Sequence, residues 1–140
     1  MHRRRLAMLG LLALFGPVPT EARESAPKAP ARGRAKRGIA VWYGEDRHGQ
    51  TMANGRVFDR WAMTGASVHF PLGTRVRVTD METRKSVAVT ITDYTASGSR
   101  VLIDLSQGAG RALGIETKGK ALVEAAPIGF DRNQVRQRQG

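Results

Sequence analysis

Short segments in which apolar and polar residues alternate recur along the middle of this 140-residue chain. Strict alternation over Arg75–Thr79 predicts a half-exposed strand, because successive side chains of a strand point to opposite faces. The segment Ser86–Asp93 alternates again and places Val87, Val89 and Ile91 on one face. The pattern therefore predicts two strands joined by a short polar connection.

Three further apolar segments predict strands. They are Gly38–Tyr43, Val101–Leu105 and Gly119–Ala126. The second of them is apolar on both faces except at Asp104, which is typical of a fully buried strand. Short strands that recur between turn residues favour a compact β-barrel over a helical bundle.

One short helix is predicted over Gln107–Leu113. Ser106 provides the N-cap that such a helix needs, and Gly114 provides the C-terminal stop. The residues predicted to form its buried face are Ala109, Ala112 and Leu113. With 16 glycines and few aromatic residues, the chain is predicted to be mainly β, with this one small helix.

The first 22 residues have the pattern of a secretory signal peptide. A positive segment at residues 2–5 precedes ten apolar residues, 6–15, which are too few to span a bilayer. A small-x-small cleavage pattern ends at Ala22. We expect a secreted or periplasmic protein; the alternative is a buried N-terminal helix.

The basic residues are concentrated in the flanks of the chain, whose net charge is +11. Residues 38–128, the predicted barrel, contain eleven basic and nine acidic residues, a net charge of +2. Residues 23–37 and 129–140 are basic and poor in large apolar side chains, so they are predicted to be a disordered linker and a disordered tail. A nucleic-acid-binding domain concentrates positive charge on its folded face, so we expect no specific nucleic-acid partner.

The composition excludes several kinds of site. The chain contains no cysteine, which excludes disulfides, thiolate metal sites, cysteine nucleophiles and the lipid anchor of bacterial lipoproteins. Its three histidines show no paired-ligand spacing, so neither a catalytic metal nor another cofactor is expected. No apolar segment has the length of a transmembrane helix.

Several short motifs follow one another in the order found in the rare lipoprotein A family, between about residues 38 and 127. They are Gly38–Gly44, His48–Gly49, Met52–Gly55, Phe58–Asp59, Ala62–Ala66, Pro71–Val78, Ile103–Ser106 and Ala112–Gly114. The chain therefore resembles this family over essentially all of its predicted core.

The resemblance implies a six-stranded double-psi β-barrel. It also implies an endolytic lytic transglycosylase that cleaves the glycan strands of bacterial peptidoglycan and leaves 1,6-anhydromuramyl ends. Related barrels bind polysaccharides without cutting them, so a non-catalytic module that binds peptidoglycan or septal proteins is the alternative.

Asp59 and Asp93 are the candidate catalytic residues. Asp59 matches the family's aspartate, but Arg56 stands where the family has glutamate and Ser67 where it has histidine. If Arg56 lies within about 4–6 Å of Asp59, it should lower the pKa of that carboxyl by roughly 1–3 units and weaken it as an acid. Arg56 could instead bind a lactyl or stem-peptide carboxylate.

The position of Asp93 continues the apolar series of the strand that ends there. Its carboxyl is therefore expected on the core side, either opening into a cleft or capping a turn. Asp104 is interpreted as a structural carboxylate near the helix start.

Five residues are candidates for substrate binding: Tyr43, His48, Asn54, Arg56 and His69. Three of them have a structural alternative, since Tyr43 can pack in the core, His48 can be an exposed loop residue and Asn54 begins a turn dipeptide. Trp61 either stacks on sugar or packs.

Overall fold

The computed structural model describes residues 33–135 and contains six strands and one helix. In chain order these are β1 (Lys36–Tyr43), β2 (Thr64–Ala66), β3 (Thr74–Asp80), β4 (Ser86–Asp93), β5 (Val101–Ser106), α1 (Gln107–Leu113) and β6 (Lys120–Phe130). Two 3-10 turns, Glu45–Arg47 and Arg132–Gln134, follow β1 and β6.

The six strands close into a barrel in the order β1-β5-β2-β4-β3-β6. Strands β1 and β5 are parallel, as are β2 and β4, whereas the other four pairings are antiparallel. The mainly β, six-stranded barrel with one helix is thus confirmed.

The barrel interior is filled by the apolar side of each strand. Val76 and Val78 on β3 and Val89 and Ile91 on β4 are fully buried, as their alternation predicts. Strand β5 contributes two more fully buried side chains from alternate positions, which turns Asp104 to the other face of that strand.

The helix has the predicted bounds and caps. Ser106 Oγ accepts a hydrogen bond from the Ala109 N–H at 3.2 Å. Gly114 adopts the left-handed conformation, with φ of 86°, and its N–H donates to the Arg111 carbonyl at 3.0 Å. A residue other than glycine would be strained at this φ.

The buried face of α1 differs from the prediction at one position. Ala109 and Leu113 are buried as expected, but Ala112 is exposed. Gly108 and Gly110 are buried instead. These two glycines let the backbone and side chains of neighbouring elements pack directly against the helix, which rotates the buried face away from Ala112.

Replacing Gly108 with alanine is expected to destabilise the fold by about 1–3 kcal/mol, the usual cost of overpacking. A Cβ at this position would lie 2.3 Å from the Trp61 carbonyl oxygen, which is backbone and cannot turn aside. Gly129→Ala is the matched control, because a Cβ there meets nothing within 4 Å. Urea unfolding should show a lower midpoint for Gly108→Ala alone; equal midpoints for the two variants would contradict the prediction.

The ordered structure extends beyond the predicted barrel limits at both ends. Strand β1 begins at Lys36, inside the predicted disordered linker, because the main chain of residues 36 and 37 pairs with Ala125 and Glu124 of β6. Strand β6 continues to Phe130 and a 3-10 turn follows, so the first residues of the predicted tail are also ordered. Polar side chains do not prevent main-chain pairing, which is why composition misplaced both limits.

Strand β2 was not predicted, since three residues are too few to show an alternating pattern. The predicted signal peptide and most of the predicted linker, residues 1–32, and the last five residues, 136–140, lie outside the described residues. Within residues 33–135, no helix combines the length and apolar character needed to cross a bilayer.

Candidate active site

Two acidic residues lie on either side of the short strand β2. Ala66 pairs with Asp93 of β4 on one side and with Asp104 of β5 on the other. With about 4.8 Å between neighbouring strands, the two aspartate backbones are about 10 Å apart. The barrel thus brings together two acidic residues that are eleven positions apart in the sequence.

Tyr43, the last residue of β1, lies on the same face of the sheet as Asp104. Val41 pairs with Asp104 in parallel register, and Tyr43 is two residues further along β1. The Tyr43 ring stacks on Phe58 with 4.7 Å between ring centroids. The guanidinium of Arg47 lies over the same ring, 5.3 Å from its centroid.

A cleft opens at this place. Its lining residues come from the end of β1, the loop that follows it and the end of β4: Tyr43, Arg47, Gln50, Thr51, Met52, Phe58 and Asp93. Met52 and Phe58 are buried, so the loop between β1 and β2 packs as a small apolar cover over the outer face of the barrel.

Asp104 has the electrostatics of a general acid. Burial raises the pKa of its carboxyl to about 6, while the positive charge of Arg47 lowers it and the negative charge of Asp46 raises it. Among the described residues, its buried Oδ1 has no hydrogen-bond partner. A half-buried, unpartnered carboxyl of this kind can hold a proton near neutrality and donate it to a ligand.

The Tyr43 hydroxyl is also buried, and its pKa is also raised. Burial, followed by the negative charges of Asp104 and Asp93, raises the pKa of this phenol well above its ordinary value of 10.0. Within the described part of the chain its oxygen is buried and has no hydrogen-bond partner. Tyr43 therefore stays neutral and keeps a free O–H donor beside the two carboxyl groups.

Asp93 both caps a turn and lines the cleft, which are the two possibilities that the sequence left open. Its Oδ1 accepts hydrogen bonds from the N–H groups of Tyr94, at 2.9 Å, and Ala53, at 3.1 Å, so it caps the turn after β4. The same residue lines the cleft. The two bonds hold its carboxyl in a fixed position relative to the loop before β2.

Asp59, like Asp104, is not among the residues that line this cleft. It is exposed, and its Oδ1 accepts a hydrogen bond from the Trp61 N–H at 2.9 Å, which is the geometry of a turn cap. No ion pair joins it to Arg56 in residues 33–135. The Arg56 guanidinium donates instead to the carbonyl of Asn133, in the segment after β6. Arg56 and Asp59 therefore form no direct ion pair among the described residues.

Asn54 supports the same C-terminal segment. It is buried, its Nδ2 donates to the Gln134 carbonyl at 2.9 Å, and its Oδ1 accepts from the Arg56 N–H at 3.0 Å. These bonds satisfy the side chain within the protein. Asn54 thus fits its structural alternative, a turn residue that anchors residues 133–134.

The two candidate histidines lie outside the lining of the cleft. His48 is exposed and its Nδ1 accepts a hydrogen bond from the Arg60 N–H at 3.2 Å. His69 is exposed and its backbone N–H donates to the Oγ of buried Ser67 at 3.0 Å. In the described part of the chain, no group of three or more histidine and acidic residues is placed to hold a metal ion.

Trp61 is 43% exposed and lies against two arginines. The guanidinium carbons of Arg60 and Arg111 each lie 4.7 Å from its ring centroid, and Arg111 is held in place by two hydrogen bonds to Glu116. Two cation–π contacts therefore hold the ring, while part of its surface stays open to solvent.

Sequence comparison identifies the family to which this barrel belongs. Residues 35–125 match the family model described as lytic transglycolase. A "Probable endolytic peptidoglycan transglycosylase RlpA" of Synechocystis is 49% identical over 87 residues, which cover 61% of this chain and 27% of the relative. The "Endolytic peptidoglycan transglycosylase RlpA" of Pseudomonas aeruginosa PAO1 is 40% identical over 102 residues, 73% of this chain and 30% of the relative. The match thus spans less than a third of either relative's length.

Solved structures show the same barrel. The Streptomyces papain inhibitor superposes with a TM-score of 0.56 at 22% identity, over 69% of this chain and 96% of that protein. An expansin of Clavibacter michiganensis in its apo form superposes with a TM-score of 0.51 at 26% identity, over 76% of this chain and 52% of that protein. The resemblance to the rare lipoprotein A family is confirmed, and the chain belongs to the lytic transglycolase family.

Proposed function

We propose that this protein is an endolytic peptidoglycan lytic transglycosylase whose general acid is Asp104. The observation that carries the proposal is the Asp104 carboxyl, whose pKa is raised to about 6 and whose Oδ1 has no partner among the described residues. The names of the relatives support the reaction and the substrate.

The proposed first step is protonation of the bridging oxygen between two sugars by Asp104. The bond from that oxygen to the anomeric carbon of muramic acid breaks, and positive charge develops on the sugar ring. The Asp93 carboxylate, across β2 from Asp104, would stabilise this charge. The Tyr43 hydroxyl, which has no hydrogen-bond partner among the described residues, would donate a hydrogen bond to the sugar.

In the second step the 6-hydroxyl of the same muramic acid attacks its anomeric carbon. The proton of that hydroxyl passes to the ionised Asp104, which regenerates the acid, and the product is a 1,6-anhydro end. No water is consumed, so this reaction is distinguished from hydrolysis by its product.

The direct test is digestion of purified sacculi by the purified protein. Soluble or newly formed strand ends that carry 1,6-anhydromuramic acid, identified by mass spectrometry, are the expected result. Reducing muramic acid ends would instead show hydrolysis, and unchanged glycan lengths would show that the protein does not cut.

The rate of cleavage is expected to fall as pH rises through about 6. Asp104 must enter the reaction protonated, and above its pKa each pH unit lowers the protonated fraction about tenfold. The pH profile of kcat/KM on isolated glycan strands measures this limb. A rate that keeps rising from pH 6 to pH 8 would contradict the assignment of Asp104 as the acid.

A non-catalytic glycan-binding module is the second candidate. It is favoured by Arg56 and Ser67, which replace the glutamate and histidine that the family resemblance implies. Pelleting of the protein with sacculi whose glycan lengths stay unchanged would support this candidate.

We further propose that the protein acts outside the cytoplasm, exported by the signal peptide predicted over residues 1–22. Septal proteins are proposed partners, because glycan strands are cut and remade where cells divide.

A further inference from the structure

We infer that Arg47 determines specificity by binding a carboxylate carried by the glycan substrate. The inference deepens the proposed function and rests on it for the choice of substrate, but it concerns binding rather than cleavage. It adds to the carboxyl groups and the Tyr43 hydroxyl of the proposed site a cation that recognises the acidic sugar of the strand.

The position of Arg47 places it at the edge of the reactive cleft. It belongs to the 3-10 turn that directly follows β1, and it lines the cleft together with Tyr43 and Asp93. Its guanidinium carbon lies 5.3 Å from the Tyr43 ring centroid, so the aromatic ring supports one side of the group. The side chain is exposed, which leaves it accessible to a ligand.

Among residues 33–135, the charge of Arg47 is not neutralised by a direct ion pair. The three ion pairs of residues 33–135 are Arg37–Glu124, Arg111–Glu116 and Lys118–Asp80. Arg47 takes part in none of them, and no side-chain hydrogen bond from it occurs in that part of the chain. Its five N–H donors are therefore free to meet an anionic ligand.

A carboxylate is the ligand group that this geometry fits. The planar guanidinium offers two parallel N–H donors that match the two oxygens of a carboxylate. Peptidoglycan carries such groups in two places, on the lactyl ether of muramic acid where no peptide is attached and on the stem peptide where one is. Uncharged sugar polymers carry neither, so Arg47 would separate the two classes of glycan.

Binding at Arg47 would also affect the proposed acid. In the unliganded protein the positive charge of Arg47 lowers the pKa of Asp104, against the raising effects of burial and of Asp46. A substrate carboxylate paired with Arg47 would offset this positive charge. The acidic substrate thereby favours the protonated form of the carboxyl that must act on it.

The test compares Arg47→Gln with the wild-type protein on two forms of one ligand. Peptide-free glycan strands are used as isolated and after their carboxyl groups have been converted to methylamides, and binding is measured by calorimetry. Arg77→Gln is the matched control: Arg77 is exposed on β3 and pairs with Ala88, five residues along β4 from Asp93, which is about 17 Å. A second arm repeats the measurement with peptide-bearing strands.

Wild-type protein and Arg77→Gln are expected to bind native strands about tenfold or more tightly than amidated strands, as for a charge-assisted hydrogen bond. Arg47→Gln should bind both forms equally, at the weaker affinity. A preference confined to peptide-free strands assigns the lactyl carboxylate, and one confined to peptide-bearing strands assigns the stem peptide.

Two results would overturn the inference: equal binding of native and amidated strands by the wild type, or a preference for native strands that survives in Arg47→Gln. Cleavage is scored separately on the same strands. Carboxylate-dependent binding without 1,6-anhydro products would contradict the proposed reaction but support the inference about Arg47. Cleavage without a carboxylate preference would support the reaction and contradict the inference.

Discussion

Replacing Asp104 with asparagine is expected to lower the rate of glycan cleavage by about 10²–10⁴-fold, the usual contribution of a general acid. Asparagine has nearly the same shape, but its amide cannot give up a proton to the bridging oxygen. The barrel should remain folded, because Asp104 Oδ1 has no partner in the described residues that the change would remove. Release of anhydromuramyl products and the circular dichroism spectrum measure the two effects.

The control for Asp104→Asn is Glu82→Gln, which removes an exposed carboxylate from the turn between β3 and β4. Its cleavage rate should match that of the wild type. Asp59→Asn is the informative comparison, since sequence resemblance favours Asp59 and geometry favours Asp104. Activity that survives in Asp104→Asn and disappears in Asp59→Asn would show that the assignment from geometry is wrong.

Replacing Asp80 with alanine is expected to destabilise the fold by about 3 kcal/mol, at the lower end of the range for breaking a buried charge pair. Asp80 is 1% exposed, and its carboxylate accepts hydrogen bonds from the N–H groups of Glu82 and Thr83 and from Lys118 Nζ, at 2.8, 3.2 and 2.9 Å. The lower end applies because the Lys118 side chain is 39% exposed and water screens its charge.

The contribution of Asp80 should disappear in acid. Burial raises the pKa of its carboxyl, but the hydrogen bonds from Lys118, Glu82 and Thr83 outweigh burial, so the pKa lies below its ordinary value of 3.8. A group whose pKa is depressed in the folded state stabilises the fold above its unfolded-state pKa and loses that effect as pH falls below it. The difference in unfolding free energy between wild type and Asp80→Ala should therefore shrink below about pH 4.

Urea unfolding at pH 7 and at pH 3 measures both effects. Glu124→Ala serves as the control, because it breaks the surface ion pair with Arg37, whose side chains are 68% and 36% exposed. Such a pair is worth about 0–1 kcal/mol. A loss at Asp80 no larger than the loss at Glu124 would contradict the buried-pair argument.

The sequence predicted elements whose signals are local. Strand β4 and helix α1 have their predicted bounds, since the alternation lies within β4 and the N-cap serine and stop glycine lie directly beside α1. Strand β2 was missed because its position depends on pairing with β4 and β5 rather than on its own three residues. The closure of the barrel came from family resemblance, not from periodicity.

The proposed site around Asp104 was predicted only in part, and the reason is physical. Asp93 lies at the cleft as its strand position indicated. Asp104 was interpreted as structural because nothing near it in the sequence shows that it is desolvated. Its raised pKa arises from burial where β5 packs in the folded protein, which is a tertiary effect. One signal in the sequence could have indicated a functional role for Asp104. It is the only charged residue of an apolar strand, where burying a charge is unfavourable.

The partner of Arg56 likewise could not be predicted from the sequence. Its neighbours in the sequence suggested a contact with Asp59, three residues away. In the structure its partner is the carbonyl of Asn133, 77 residues away, in a segment that composition assigned to a disordered tail. Long-range partners of this kind cannot be found from spacing alone.

The order of strands in the barrel has a consequence for how the chain reaches its native state. Of the six bonded strand pairs, only β3 and β4 follow each other directly in the sequence. Strand β1 has its two partners in β5 and β6, so it stays unpaired until nearly the whole domain has been synthesised. We expect slow folding that starts from the β3–β4 hairpin, because distant segments must meet before the first strand gains any hydrogen bonds. Until then, β1 is an open edge that a chaperone would have to shield from aggregation.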